Sequence, residues 1–193
     1  ALYKARILQR IAFGRAAGNE VRQGISNLLP VDFEYAKAMG CTIKLRCSAT
    51  PTMVSVQPTM LSKTQPLGTV DGVLNAVTID HKTMGTVTLT GPGAGGDATA
   101  HSIVSDVLQP PTSHPPFGGV TPKDKPPTPF SSTYYLRLGV RDRVGIISEV
   151  GAACEALGVS IDAVLQNPVP SSFDFSSNVL RFVVLLHETE DVK

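Results

Sequence analysis

The sequence predicts an α+β protein: helices combined with a mostly antiparallel or mixed sheet, followed by a smaller and incomplete βαββ unit of ferredoxin-like order. Two observations carry this. Four stretches repeat apolar residues at helical spacing, and seven others alternate in the manner of half-buried strands. Between the two regions the composition changes abruptly to proline.

The first segment, ALYKARILQRIAF, sets Tyr3, Ile7 and Ile11 at four-residue steps with Leu8 and Ala12 beside them. This is an amphipathic helix closed by Gly14. It starts at the first residue without a capping segment, so further residues are expected upstream. VDFEYAKAMG is a second, short helix, with Asp32 near its start and Gly40 just past its end. CTIKLRCSAT, MVSVQP, VLNAVTID and GTVTLTG alternate as strands. DATAHSIVSDVL returns to helical spacing, with Asp97 placed to cap it. These elements form an α+β body over residues 1–109.

From Gln109 the stretch QPPTSHPPFGGVTPKDKPPTPFSS holds eight prolines between Pro110 and Pro129. It reads as an extended linker over 110–133 with polyproline II character; a ligand for a proline-recognition domain is the alternative. After it, TYYLRLGV is a strand, RDRVG a turn, and IISEVGAACEALG a helix with Ile146, Val150 and Leu157 on its buried side. VSIDAVLQ, a long turn and VLRFVVLL complete βαββ over 134–193.

Composition narrows the classes of function. Hydrophobic residues make up 42% of the chain and charged residues 17%, enough apolar content for a buried core. Lys plus Arg number 17 and Asp plus Glu 16, and no basic run interleaves with aromatics, so no nucleic-acid partner is expected. No apolar stretch approaches the roughly 20 residues that span a bilayer, so no membrane partner is expected. Cys41, Cys47 and Cys154 form neither an even set nor a close pair and read as reduced thiols of a cytoplasmic protein. His81, His101, His114 and His187 show no metal spacing, and no metal site is expected.

GPGAGGDATA, residues 91–100, satisfies G-x-G-x-x-G through Gly91, Gly93 and Gly96 after the strand TVTLT. A dinucleotide fold then needs a long helix, a further strand and an acidic residue roughly 20 positions on. SHPPFG stands there instead, at 113–118, so the pyrophosphate reading fails. The glycines still allow a close backbone approach to a ligand, or simply a tight strand-to-helix turn.

YYLRLGVRDRVGIISEVGAACEALGVSIDAVLQ resembles an ACT domain, the small βαββαβ module that senses amino acids, and VVLLHETED is similar to its third strand in homoserine dehydrogenases. KARILQRIAFG, GISNLLPVDFEYAKAMGCTIKL, QPLGTVDGVLNAV and GPGAGGDATAHSIVSDV stand in the order in which similar motifs occur in that same family. The resemblance implies the substrate and dimerisation region of a homoserine dehydrogenase, truncated at its N-terminus and lacking the NAD(P)-binding domain. An ACT-like regulatory domain, truncated at its C-terminus, follows. It implies interconversion of L-homoserine and L-aspartate 4-semialdehyde with NAD or NADP, in threonine and methionine biosynthesis, by a homo-oligomer. The fragment alone is expected to be inactive. A non-catalytic amino-acid-binding regulator, or a dimerisation scaffold, is the alternative.

The resemblance also assigns residues. Lys4 becomes the catalytic lysine that exchanges a proton with the substrate hydroxyl; by its spacing to Leu8 and Ala12 it borders the apolar face, where a solvated charge is the plainer reading. Gly95, with Gly93 behind it, contacts the nicotinamide side of the cofactor. Asp142 and Gly145, at the strand-to-helix turn, suit the ammonium and carboxylate of an amino-acid effector, threonine by resemblance, with Gln166 completing the site. Asp142 as a helix cap is the alternative. Two departures stand out: an expected aspartate four residues before Lys4 falls outside the chain, and Val144 replaces the usual proline before Gly145.

Overall fold

The computed structural model describes residues 1–14, 18–109, 131–166 and 179–190. The Pro-rich stretch from 110 to 130, with His114, and the long turn of 167–178 lie outside the described residues. By packing, the chain divides into two compact units, Ala1–Leu28 with Met39–Pro127 and Leu29–Ala38 with Thr128–Lys193.

In the first unit, α1 (Leu2–Phe13) is followed by β1 (Asn19–Arg22), β2 (Cys41–Ala49) and β3 (Met53–Ser62). These strands form a sheet in the order β1-β3-β2, with β1 parallel and β2 antiparallel to β3. Ala5, Val54 and Val56 make its core, with Leu2 and Ala49 packed beside them. The buried face of α1 is therefore Leu2, Ala5 and Gln9 rather than the predicted face of Tyr3, Ile7 and Ile11, which are exposed. Gln9 is accepted inside because its amide donates to the carbonyls of Thr50, at 2.7 Å, and Met53, at 3.4 Å. The sequence also concealed β1: NEVR is short and polar, and pairs only with Met53–Val56. Beyond Val56 that side of β3 has no partner in β1, which lets the strand run through Pro58.

A 3-10 turn (Pro66–Thr69) touches β2, β3 and the ribbon's first strand, β4 (Leu74–His81). β4 pairs antiparallel with β5 (Gly85–Pro92) in a two-stranded ribbon. α3 (Gly96–Leu108) follows. Gly95 is its N-cap, so Asp97 stands in the first turn and makes no side-chain cap, contrary to expectation.

The second unit is built on β6 (Ser131–Arg141), α4 (Ile146–Ala156), β7 (Ile161–Gln166) and β8 (Val179–Glu190). β6 begins three residues before the expected boundary. The sheet order is β6-β8-β7, with both pairs antiparallel. Val159, Phe182, Val184 and Leu186 form the core; Tyr134, Leu138 and Val140 pack on it from β6, and Val150 and Cys154 from α4. Leu157 was expected on the buried side, but α4 ends at Ala156 and leaves it exposed.

The other face of this sheet receives α2 (Pro30–Ala38), although the chain inserts α2 between β1 and β2. Asp32, 1% exposed, accepts a hydrogen bond from the Tyr135 hydroxyl at 2.6 Å and pairs with the Arg137 guanidinium. Tyr135 and Arg137 alternate along β6 with Tyr134 and Leu138, which face α4, so α2 and α4 lie on opposite faces. The resulting architecture is α+β with mixed and antiparallel sheets.

Candidate functional site

Lys4 stands in the first turn of α1, exposed, and forms no ion pair among the described residues. Arg6 on the same helix is engaged: its guanidinium makes a bidentate pair with Glu20 of β1 at 2.5 and 2.6 Å and lies over the Tyr3 ring. Their hydrogen bond raises the Arg6 pKa and lowers that of Glu20. The pair fixes α1 to the start of the sheet and leaves Lys4 as the uncommitted cation of the first turn.

Gly93 and Gly95 lie between β5 and α3. Gly95 has φ 119° and ψ 154°, a conformation that L side chains rarely adopt, and a Cβ added there would meet nothing within 4 Å. Its bare backbone faces open space. The first N–H groups of α3 have no intrahelical acceptors, and Asp97 already adds a negative charge to that turn. Gly93 is glycine for another reason: a Cβ there would lie 1.8 Å from Asn75 Nδ2 and 2.2 Å from its Cγ. The ribbon is steadied from below by Lys44 of β2, whose ammonium reaches Asp71 at 2.5 Å and lowers that carboxyl's pKa. Asp71 precedes Gly72 at the turn into β4, and its carbonyl accepts from Leu74 N at 3.3 Å. Lys4 and the glycine turn thus belong to different elements of one unit.

In the second unit Asp142 and Gly145 occupy the turn from β6 into α4, both exposed. Gly145, φ 89°, is the N-cap, and no side-chain cap is made there, so Asp142 leaves the helix N-terminus open. Arg143 and Glu149 close the turn with an exposed pair at 2.5 Å. Gln166 ends β7. β6 and β7 are each antiparallel to β8 and run the same way on either side of it, but Gln166 lies opposite Phe182, level with Leu138, whereas Asp142 follows Arg141, which lies opposite Val179. Two strand spacings, about 10 Å, separate them laterally. Bringing them onto one small ligand requires groups from between.

Among the described residues no group of His, Cys, Asp and Glu could hold a metal, and all three cysteines are free. No described helix is long and apolar enough to cross a membrane. Sequence patterns did not single out Lys44 or Asn75, and marked Asp32 only as a residue near a helix start. Two partners of Asp32, Tyr135 and Arg137, are more than a hundred residues away, and Asn75 needed the ribbon register that sets it opposite Gly91.

The family model for homoserine dehydrogenase matches residues 1–108, and that for the ACT domain matches 134–193. The homoserine dehydrogenase of Helicobacter pylori is 32% identical over 202 residues, covering 99% of this chain and 47% of its own length. That of Mycobacterium leprae is 33% identical, covering 97% and 46%. A solved homoserine dehydrogenase from Thiobacillus denitrificans superposes with a TM-score of 0.77 at 28% identity, over 97% of this chain and 46% of that one. The chain thus spans about half the length of the relatives it matches. With the homoserine dehydrogenase match covering more than half of its residues and an ACT match behind it, this chain belongs to the homoserine dehydrogenase family.

Proposed function

We propose that residues 1–109 are the substrate and dimerisation part of an NAD(P)-dependent homoserine dehydrogenase, and residues 134–193 its amino-acid-sensing ACT part, joined by the Pro-rich stretch. In this reading the dinucleotide-binding domain lies outside these 193 residues, and the working enzyme is a cytoplasmic homo-oligomer. It interconverts L-homoserine and L-aspartate 4-semialdehyde in the synthesis of threonine and methionine. The observation that carries the reading is the succession of the two family matches in one chain.

The chain's residues fit the nicotinamide end of the cofactor better than its phosphates. Asp97 opposes a phosphate at α3, whereas Gly95 offers unobstructed backbone to a flat, uncharged or cationic ring. The bound dinucleotide supplies hydride acceptance and donation. Lys4 handles the proton. As the alcohol is oxidised, its uncharged amine takes the hydroxyl proton; in the reverse direction its ammonium returns that proton to the carbonyl oxygen. Asp142, beside the open N-terminus of α4, offers an acceptor for the α-ammonium of an effector such as threonine, and the helix N–H groups offer donors for its carboxylate. Gln166, at the end of β7, completes the effector site in this reading.

The test is homoserine-dependent reduction of NAD+ or NADP+ by the full-length protein. Turnover is expected there and absent from the 193-residue chain alone, because holding donor and acceptor at reacting distance is worth roughly 7–11 kcal/mol. A full-length protein that binds threonine but never reduces either dinucleotide is a regulator instead.

A further inference from the structure

The ribbon places Asn75 opposite Gly91, with Gly93 diagonally beyond it on the same face. Gly93 N donates to the Val73 carbonyl at 2.8 Å, which carries the pairing one residue past β5. Gly91 in β5 and Gly93 just past it carry no side chains on this face, and the Asn75 carboxamide occupies the volume a Cβ at Gly93 would need. At Gly91, Gly95 and Gly96 an added Cβ would meet nothing within 4 Å, so among the glycines of this stretch Gly93 is the one that a side chain, Asn75, packs against.

We infer that Asn75 is a positioning residue for the cofactor-facing turn, acting through Gly93 to hold the Gly95 backbone in its presented conformation. The inference rests on the reading that this turn contacts the nicotinamide dinucleotide. Its physical basis is pre-organisation. A glycine-rich turn without its seat samples many conformations, and a ligand must then order it on binding. Asn75 is exposed and outside both cores, so its loss leaves the fold standing.

Two measurements test this. In the 193-residue chain, Asn75→Ala and Gly93→Ala should each shift the amide resonances of Gly95 and Gly96 while leaving Thr78 and Thr88 in mid-ribbon unchanged. In the full-length protein, each should weaken NADPH binding, followed by nicotinamide fluorescence, by about three- to tenfold. The KM for homoserine and the melting temperature should hold. The double variant should be no weaker than either single one, because both remove one contact. Additive losses, or unchanged Gly95 and Gly96 resonances in Asn75→Ala, overturn the inference. Gly95→Ala separates it from the reading beneath it. If Gly95→Ala weakens NADPH binding and Asn75→Ala does not, only the role of Asn75 fails; if neither does, the turn is not a cofactor contact and both fail.

Discussion

Replacing Asp32 tests the most heavily bonded buried charge in the described structure. Its carboxylate is almost fully enclosed and accepts from three donors: Leu29 N at 2.7 Å, the Tyr135 hydroxyl at 2.6 Å and the Arg137 guanidinium. Asp32→Ala removes the bond to Leu29 N at the start of α2, worth about 1 kcal/mol. It also takes the shared carboxylate acceptor away from the Arg137 guanidinium and the Tyr135 hydroxyl. Breaking a buried ion pair from one side costs about 3–5 kcal/mol. Arg137 keeps 27% of its side chain exposed, so water recovers part of that. The expected loss is about 3–4 kcal/mol in all, falling on the unit that holds α2 and β6. Asp32→Asn keeps the shape and one acceptor and should lose about 2 kcal/mol. Tyr135→Phe, which leaves two donors in place, should lose about 1.5 kcal/mol. Urea unfolding of the chain, read by circular dichroism as midpoint shifts at constant slope, gives the ranking. An Asp32→Ala variant within about 1 kcal/mol of wild type would refute the claim that this cluster anchors α2.

Other expectations follow from the same structure. Burial, and then the Asp32 carboxylate that accepts its proton, raise the Tyr135 pKa well above the ordinary tyrosine value. A folded pKa above the unfolded one means that the contribution is complete below about pH 10 and is lost as pH rises beyond it. Thermal melts from neutral pH to pH 11 should show this alkaline loss in wild type and a smaller one in Tyr135→Phe; equal slopes count against it. Phe182 is fully buried in the core of the second unit, so Phe182→Ala should cost about 3–5 kcal/mol in urea unfolding. Calorimetric titration of threonine into the full-length protein should show weaker binding by Asp142→Ala; equal affinity removes Asp142 from the effector site.

What the sequence made legible follows the range of each interaction. Alternation in CTIKLRCSA and LNAVTIDH marked β2 and β4, because a half-buried strand writes its period locally. The helix of residues 2–13 was equally plain, but not its buried face. Small Ala5 and polar Gln9 point inward because two backbone carbonyls await Gln9, while larger apolar residues point out. Asp32 read only as a residue near a helix start. Its partners lie in the second unit, and no local pattern announces that a helix between β1 and β2 packs on β6. In the candidate site, resemblance pointed to Lys4 and Gly95. The part of Gly93 that depends on Asn75 needed the ribbon's register.

The catalytic role proposed for Lys4 is the center of the functional account, and one variant addresses it directly. Lys4 is exposed and without an ion partner among the described residues, so Lys4→Ala should leave the fold and its melting temperature unchanged. In the full-length protein, the account predicts that kcat for homoserine oxidation falls by about 10²–10⁴-fold with little change in the KM for homoserine. A Lys4→Ala enzyme that keeps wild-type kcat across the pH range would make Lys4 a solvated surface charge and contradict the account.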